Sequence, residues 1–359
     1  MMKKRSMKAT ILRLTALVMA MLLLPVFALA EGEADSSDDW VSFFLMCNEG
    51  MTNDGSNVGN TMMAISMNPE SGDIRLMMFA WDTFVNFEGY DVPQLISMPY
   101  RNVGPEGTMD VFNKNVGLDI HNYISLNYLN LATLIDDFGG VNVDISRAER
   151  NALNGMVQSK KASIQKQADS GLLSQLMVEL LAKEYYLESY GPDTHLNGLQ
   201  AVGYGWLQYD SVYNCCLREL NVNSDLFESA SNTIGAKVVF IDDEADAPEA
   251  DDDRRVVNLD HMTDEDIEFL LEQVQPIFQR SANNMSQEDI IRIGKALARA
   301  SYVAAKQGSD IFDSLSTNVF PLEAKNEYDV VAGTKGHLVD YEANGAAMRQ
   351  FLFGEDIED

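Results

Sequence analysis

The chain has 359 residues, 46% of them hydrophobic, with 26 Lys and Arg against 55 Asp and Glu and a formal net charge of −29. That apolar content suffices for one large or two ordinary globular domains and excludes a disordered or fibrous protein. The acidic field makes nucleic acid and bare anionic lipid poor partners, and no nucleic-acid partner is expected.

Residues 1–30 read as a secretory signal: a basic start, MMKKRSMK, then an apolar stretch and a small-x-small site at Ala28-Leu29-Ala30, with cleavage expected before Glu31. Its uninterrupted apolar part is shorter than the roughly 20 residues of a spanning helix; a single uncleaved N-terminal anchor is the alternative. Either reading puts the remainder outside the cytoplasm, secreted or at the cell surface. Cleavage would also remove five basic residues (Lys3, Lys4, Arg5, Lys8 and Arg13) and make the chain more acidic still. Residues 31–39, EGEADSSDD, form an acidic linker too polar to fold by itself.

The folded part is expected over residues 40–354, with a short tail at 355–359. VSFFLMC (41–47), TMMAISM (61–67) and IRLMMFAW (74–81) read as buried strands, the last two joined through NPESGD into a hairpin at the heart of a sheet. MDVFNKNVG suggests a short helix, HNYISLNY a strand, LNLATLIDDF a helix stopped by Gly139, and GGVNVDIS a return to strand. Alternation of this kind predicts an α/β layer structure. Residues 160–190 are patterned as helix up to a Gly-Pro stop, and LNGLQAVGYGWLQYD follows as a short helix.

Residues 242–253 put eight acids in twelve residues, which reads as an exposed insertion without the spacing of a calcium loop. TDED at 263 and SQED at 286 resemble capping boxes at the start of amphipathic helices. The end of the chain reads as a strand, a glycine-rich turn, a strand and a final helix. No internal repeat and no strong domain break are visible. The adjacent Cys215 and Cys216 rule out a disulfide scaffold; one cross-link from Cys47 to either stays open in an oxidising compartment.

The common catalytic signatures do not occur. His121, His195, His261 and His337 are scattered, each reading as structural or exposed, and neither a nucleophile elbow nor a P-loop is present. What the chain offers is an ordered set of short signals: VGNT before the first hairpin strand, AWDT ending the second, LIDDFGGVNVDI at a helix-to-strand joint, then LNGLQAVGYGWLQYD. Together these resemble the LytR-CpsA-Psr family of cell-envelope proteins, over residues 41 to about 218 and again from about 281 to 354.

The resemblance implies a three-layer α/β/α fold with a central mixed sheet and a pocket for a polyprenyl-pyrophosphate-linked glycan. It also implies transfer of the glycan phosphate to a cell-wall acceptor, with Mg2+ on the pyrophosphate. Carried over residue by residue, it makes Asp82 the catalytic and metal-binding carboxylate. It places Asn60, Thr61, Trp81, Thr83, Tyr204, Trp206, Gln208 and Asp210 around the substrate. The departures are as informative. Val58-Gly59-Asn60-Thr61 stands where the family has Arg-Ser-Asp-Thr, and Ala80-Trp81-Asp82-Thr83 where it has Pro-Arg-Asp-Thr. Arginines expected further on fall on Trp206, Gln208, Tyr213 and Cys216.

A pyrophosphate without guanidinium partners loses charge-assisted bonds of roughly 1.5–3 kcal/mol each. The sequence therefore reads as a degenerate member that binds a cell-wall glycan or a polyprenyl-linked intermediate, or that regulates an active relative. Two alternatives stay open: an active phosphotransferase with Arg218, Arg254 or Arg255 supplying the charge, and a structural or partner-binding surface domain with a closed cleft. Trp81 and Trp206 could stack on a sugar or an isoprenoid, or simply fill space left by arginine side chains.

Overall fold

The computed structural model describes residues 40–48, 59–80, 82–137, 140–155, 184–207, 238–242, 255–263, 265, 266, 268, 271, 277–307, 315–322 and 326–354. They fall into two compact units, one within Leu129–Gly235 and the other formed by the segments on either side of it.

The larger unit is built on the apolar runs. Strands β1 (Val41–Asn48), β2 (Gly59–Met67) and β3 (Ile74–Phe79) pair antiparallel in sequence, as the hairpin reading expects. β6 (Asn122–Asn127) lies parallel to β1, β12 (Ser316–Phe320) lies parallel to β3, and the two-residue β11 (Ala282–Asn283) closes the other edge. The order β11-β6-β1-β2-β3-β12 is thus a six-stranded mixed sheet. Alternate residues point to opposite faces, and both faces are buried because each is roofed by helix. On one face Phe44, Met46, Met62, Met77 and Phe79 pack with Tyr100, Met109 and Phe112 of α1 (Met98–Val116) and with Met348 and Leu352 of the final helix. The other face carries a long helix (Gln287–Gln307) that packs on β1, β2 and β3. This is the three-layer α/β/α arrangement.

The helix expected over MDVFNKNVG is longer than its sequence suggests. Two helical pieces meet at Gly104, whose φ of 71° is not helical, directly before Pro105. Proline supplies a ready-made first turn and disfavours helix in the residue before it, so the chain restarts there. β3 ends at Phe79, short of Trp81, because the chain leaves the ladder into a tight turn in which the Thr83 N–H donates to Ala80 O at 3.0 Å. The two-residue strands β4 (Phe84–Val85) and β5 (Gln94–Leu95) pair antiparallel across the connection 86–93.

The smaller unit contains α2 (Tyr128–Asp137), β7 (Val141–Ile145), a short helix over 147–155, β8 (Gly191–Leu196) and α3 (Gly198–Leu207). β8 is a strand the sequence reading took only for a Gly-Pro helix stop; it pairs antiparallel with β7. Gly139 and most of the helical run over 160–190 lie outside the described residues.

In the larger unit, β9 (Val238–Ile241) and β10 (Arg255–Asn258) form a parallel pair. Both capping boxes are present. Thr263 and Asp266 exchange hydrogen bonds, and so do Ser286 and Asp289 at the start of α4, the helix Gln287–Gln307. The expected final strand, turn, strand and helix are β13 (Asn326–Val331), β14 (Thr334–Val339) and α5 (Tyr341–Phe353), capped by Asp340. Of the acidic insertion only Asp242 is described, and it accepts a hydrogen bond from Tyr302 and one from Lys306. Cys47 is a free thiol buried in β1, with its pKa pushed up to about 12 by burial; Cys215 and Cys216 lie outside the described residues. Among the described residues no helix is long and apolar enough to cross a membrane.

Candidate functional site

The sheet topology brings the ends of its parallel strands to one edge. β1, β3, β6 and β12 run the same way, so Asn48, Phe79, Ala80, Asp82, Asn127 and Phe320 gather there with the start of β2. Open α/β sheets bind ligands at such an edge, outside the carboxyl ends of the strands. The register of β1 against β2 shifts here: Cys47 faces Thr61 and Asn48 faces Gly59, leaving Asn60 as the extra residue of a β-bulge. Bulges of this kind locally re-aim the chain and recur next to active sites.

Asp82 follows β3 at this edge, and its neighbour is one the sequence reading did not connect with it. The His337 backbone N–H donates to Asp82 O at 2.8 Å, and Thr83 forms a parallel bridge with His337. His337 Nε2 lies 3.9 Å from Asp82 Oδ1, with the two side chains 23% and 18% exposed. The close approach needs Gly336, where a Cβ would stand 2.3 Å from Asp82 O. Thr83 is wholly buried and its hydroxyl has no hydrogen-bond partner among the described residues. No local spacing links positions 82 and 337, so nothing in the sequence pattern could have paired them.

Under α1, where β1 ends beside β6, is a buried polar group that no sequence pattern announces. Asn48 Nδ2 donates to Tyr100 Oη at 3.0 Å, and Tyr100 shares a 2.7 Å hydrogen bond with Ser125 Oγ. Burial pushes the Tyr100 phenol above its usual pKa, while the hydrogen bonds with Ser125 and Asn48 pull the other way. All three side chains are fully buried. The amide and hydroxyls satisfy one another, which is what allows polar groups to remain in an apolar core.

The remaining expected residues divide by unit. Asn60 and Thr61 open β2 in the larger unit. Tyr204 and Trp206 lie on α3 in the smaller one. Tyr204 is 3% exposed and its hydroxyl donates to Glu149 Oε1 at 2.8 Å; Glu149 Oε2 accepts from the Ser146 N–H at 2.6 Å, closing a capping box. Trp81, Gln208, Asp210, Arg218 and Arg254 lie outside the described residues. Arg255 uses both Nε (3.0 Å) and Nη2 (2.7 Å) on Asp266 Oδ1. Against the upward push of burial, hydrogen bonds from Thr263 and Arg255 hold the Asp266 carboxyl below its usual pKa.

The joint that carried the resemblance has a physical explanation of its own. Asp136 Oδ1 accepts from the Gly198 N–H at 2.7 Å, and Asn197 and Gln200 cap α3 reciprocally. Gly198 sits so close to α2 that a Cβ would fall 1.7 Å from Ala132 O. LIDD and LNG are therefore the two halves of one helix contact.

Comparison with known proteins agrees with this fold and its motifs. Residues 28–211 match the model of the LytR_cpsA_psr family. A polyisoprenyl-teichoic acid–peptidoglycan teichoic acid transferase, TagU of Halalkalibacterium halodurans, is 27% identical over 89 residues, which is 25% of this chain and 29% of that protein. The solved structure of protein gbs0355 from Streptococcus agalactiae superposes with a TM-score of 0.53 at 13% identity, covering 92% of this chain and 93% of that one. B. subtilis TagV gives a TM-score of 0.48 at 12% identity, covering 88% and 97%.

Proposed function

Because the chain belongs to the LytR-CpsA-Psr family, we propose that it works outside the cytoplasm on a cell-envelope ligand, holding a cell-wall glycan or a polyprenyl-linked intermediate without carrying out arginine-assisted transfer. The observation that carries this reading is the environment of Asp82. The carboxylate is kept at the carboxyl-end edge of the sheet, and among the described residues the side chain it pairs with is His337. Transfer of a phosphate-linked glycan leans on guanidinium forks to meet the charge that develops. Trp81 stands where the family motif has an arginine. Arg255, a candidate replacement, is engaged on the capping carboxylate Asp266. Holding the intermediate, or presenting it to an active relative, needs only part of that charge. Export through the N-terminal segment belongs to the same proposal.

Thermal-shift titration of the purified protein with a short polyprenyl pyrophosphate tests it, since a ligand that binds the folded state raises the melting temperature once it exceeds its dissociation constant. The expected result is a rise that is reduced in Asp82→Ala, with no glycan phosphate transferred to added peptidoglycan. Turnover lost in Asp82→Ala would establish the transferase instead. The absence of any shift with the lipid or with neutral cell-wall glycans would leave the partner-binding reading.

A further inference from the structure

The turn between β2 and β3 lies at the end of the sheet away from Asp82, because β2 ends and β3 begins there. It borders a cleft of about 340 Å3, at the small end of the range for ligand sites. Four charged side chains line this cleft: Glu70 from the turn, Asp260 from the chain leaving β10, and Lys295 and Arg299 from α4. Pro69, Leu259 and Met262 supply its apolar wall. Its walls are fixed by backbone contacts. Asn68 Oδ1 accepts from the Glu70 and Ser71 N–H groups, each at 2.9 Å, and a Cβ on Gly72 would stand 2.5 Å from Ala300 N of α4. Asn258 Oδ1 accepts from the Asp260 N–H at 3.0 Å and the His261 N–H at 3.2 Å.

The charges of the cleft are only partly spent on one another. Arg299 Nη2 donates to Asp260 Oδ1, with the two side chains 16% and 48% exposed. Among the described residues that is the one hydrogen bond of a guanidinium that carries five N–H donors. Lys295 lies one helical turn before Arg299 on the same face of α4. Neither the Lys295 ammonium nor the Glu70 carboxylate has a partner among the described residues. A simple anion drawn to Lys295 and Arg299 would also meet two carboxylates, in a chain whose net charge is −29. A simple cation drawn to Glu70 would meet the ammonium and the guanidinium. A molecule bearing both signs complements the cleft where neither alone does.

We propose that this cleft binds a small zwitterion of the amino-acid class, up to the size of a dipeptide, with a free carboxylate and a free ammonium. Lys295 and the unspent donors of Arg299 take the carboxylate through charge-assisted hydrogen bonds. Glu70 takes the ammonium, and Leu259 and Met262 pack on an aliphatic side chain. The site lies away from the edge that holds Asp82, and no part of the proposal rests on the lipid-linked reading.

Calorimetric titration of the purified protein with the dipeptide alanyl-leucine tests it, beside N-acetyl-alanyl-leucine, which lacks the ammonium, alanyl-leucine amide, which lacks the carboxylate, and inorganic phosphate. One site per chain is expected, tighter than about 1 mM, with each blocked dipeptide and phosphate about tenfold weaker or more. Lys295→Gln should weaken alanyl-leucine by a similar factor and leave the amide unaffected, and Glu70→Gln should do the same for the free and acetylated forms. No binding of alanyl-leucine, phosphate or a blocked dipeptide binding as tightly, or an affinity unchanged in either variant would each overturn the proposal. If a variant melts too early for comparison, the Met262 methyl resonance of the wild-type protein decides. A saturable shift with alanyl-leucine that the blocked forms do not produce supports the site, and an unmoved resonance overturns it.

Discussion

Replacing Thr83 with valine should make the protein more stable. The Thr83 hydroxyl is fully buried and has no partner among the described residues, and a buried hydroxyl without a hydrogen bond costs roughly 1–3 kcal/mol. Valine has nearly the same shape and the same β-branched preference for extended backbone. The main-chain bonds at this residue, Thr83 N–H to Ala80 O at 3.0 Å and Ile96 N–H to Thr83 O at 2.8 Å, involve no side-chain atom and stay intact. A gain of about 1–2 kcal/mol corresponds to a melting temperature higher by about 2–8 °C in a unit of this size. Thr83→Ser is the control: it keeps the orphan hydroxyl, deletes a buried methyl and should cost about 1 kcal/mol. Melts of the three proteins followed by circular dichroism give the comparison. A valine variant that melts below wild type would show that the hydroxyl has a partner in solution, and the reasoning from its isolation would fail.

Gly198→Ala should destabilise the smaller unit by about 3 kcal/mol or more, because its Cβ would overlap the Ala132 carbonyl and α3 would have to move; limited proteolysis within residues 140–207 should rise accordingly. Cys47, with its thiol pushed up to about 12 by burial, should resist iodoacetamide at pH 8 in the native protein and react only after denaturation, as mapped by mass spectrometry; ready native labelling of the Cys47 peptide would refute it. The lowered carboxyl of Asp266 contributes stability above the unfolded-state value of about 3.9, and that contribution disappears as the pH falls through the lower folded value. Asp266→Asn should therefore cost about 1–3 kcal/mol at pH 7, with the difference from wild type shrinking in melts taken below about pH 3.9. A difference that stayed constant down to pH 2 would remove the carboxylate from the explanation.

Much of the larger unit was legible in the sequence because its signals are local. Runs such as FFLM and LMMF have no polar face to expose, so they read as strands covered on both sides. The boxes at Thr263 and Ser286 close within four residues, so the backbone groups at those helix starts find their partners without help from the rest of the chain. The family motifs were legible too, though as a pattern without a cause. Only the folded chain shows that Asp136 caps Gly198 and that Gly198 is small because Ala132 is pressed against it.

The candidate site was decided by tertiary structure. Asp82 was visible in the sequence and His337 was dismissed as isolated, since periodicity reports which face a residue occupies and says nothing about what a distant strand brings to it. The same holds for Asn48, Tyr100 and Ser125, which come from a strand, a helix and a second strand and find their hydrogen bonds only in the shared layer under α1. The strand ends, the caps and the apolar layers follow from short-range physics along the chain. Which polar groups meet at the edge of the sheet depends on strand order and register, and these are settled only when the whole sheet is assembled.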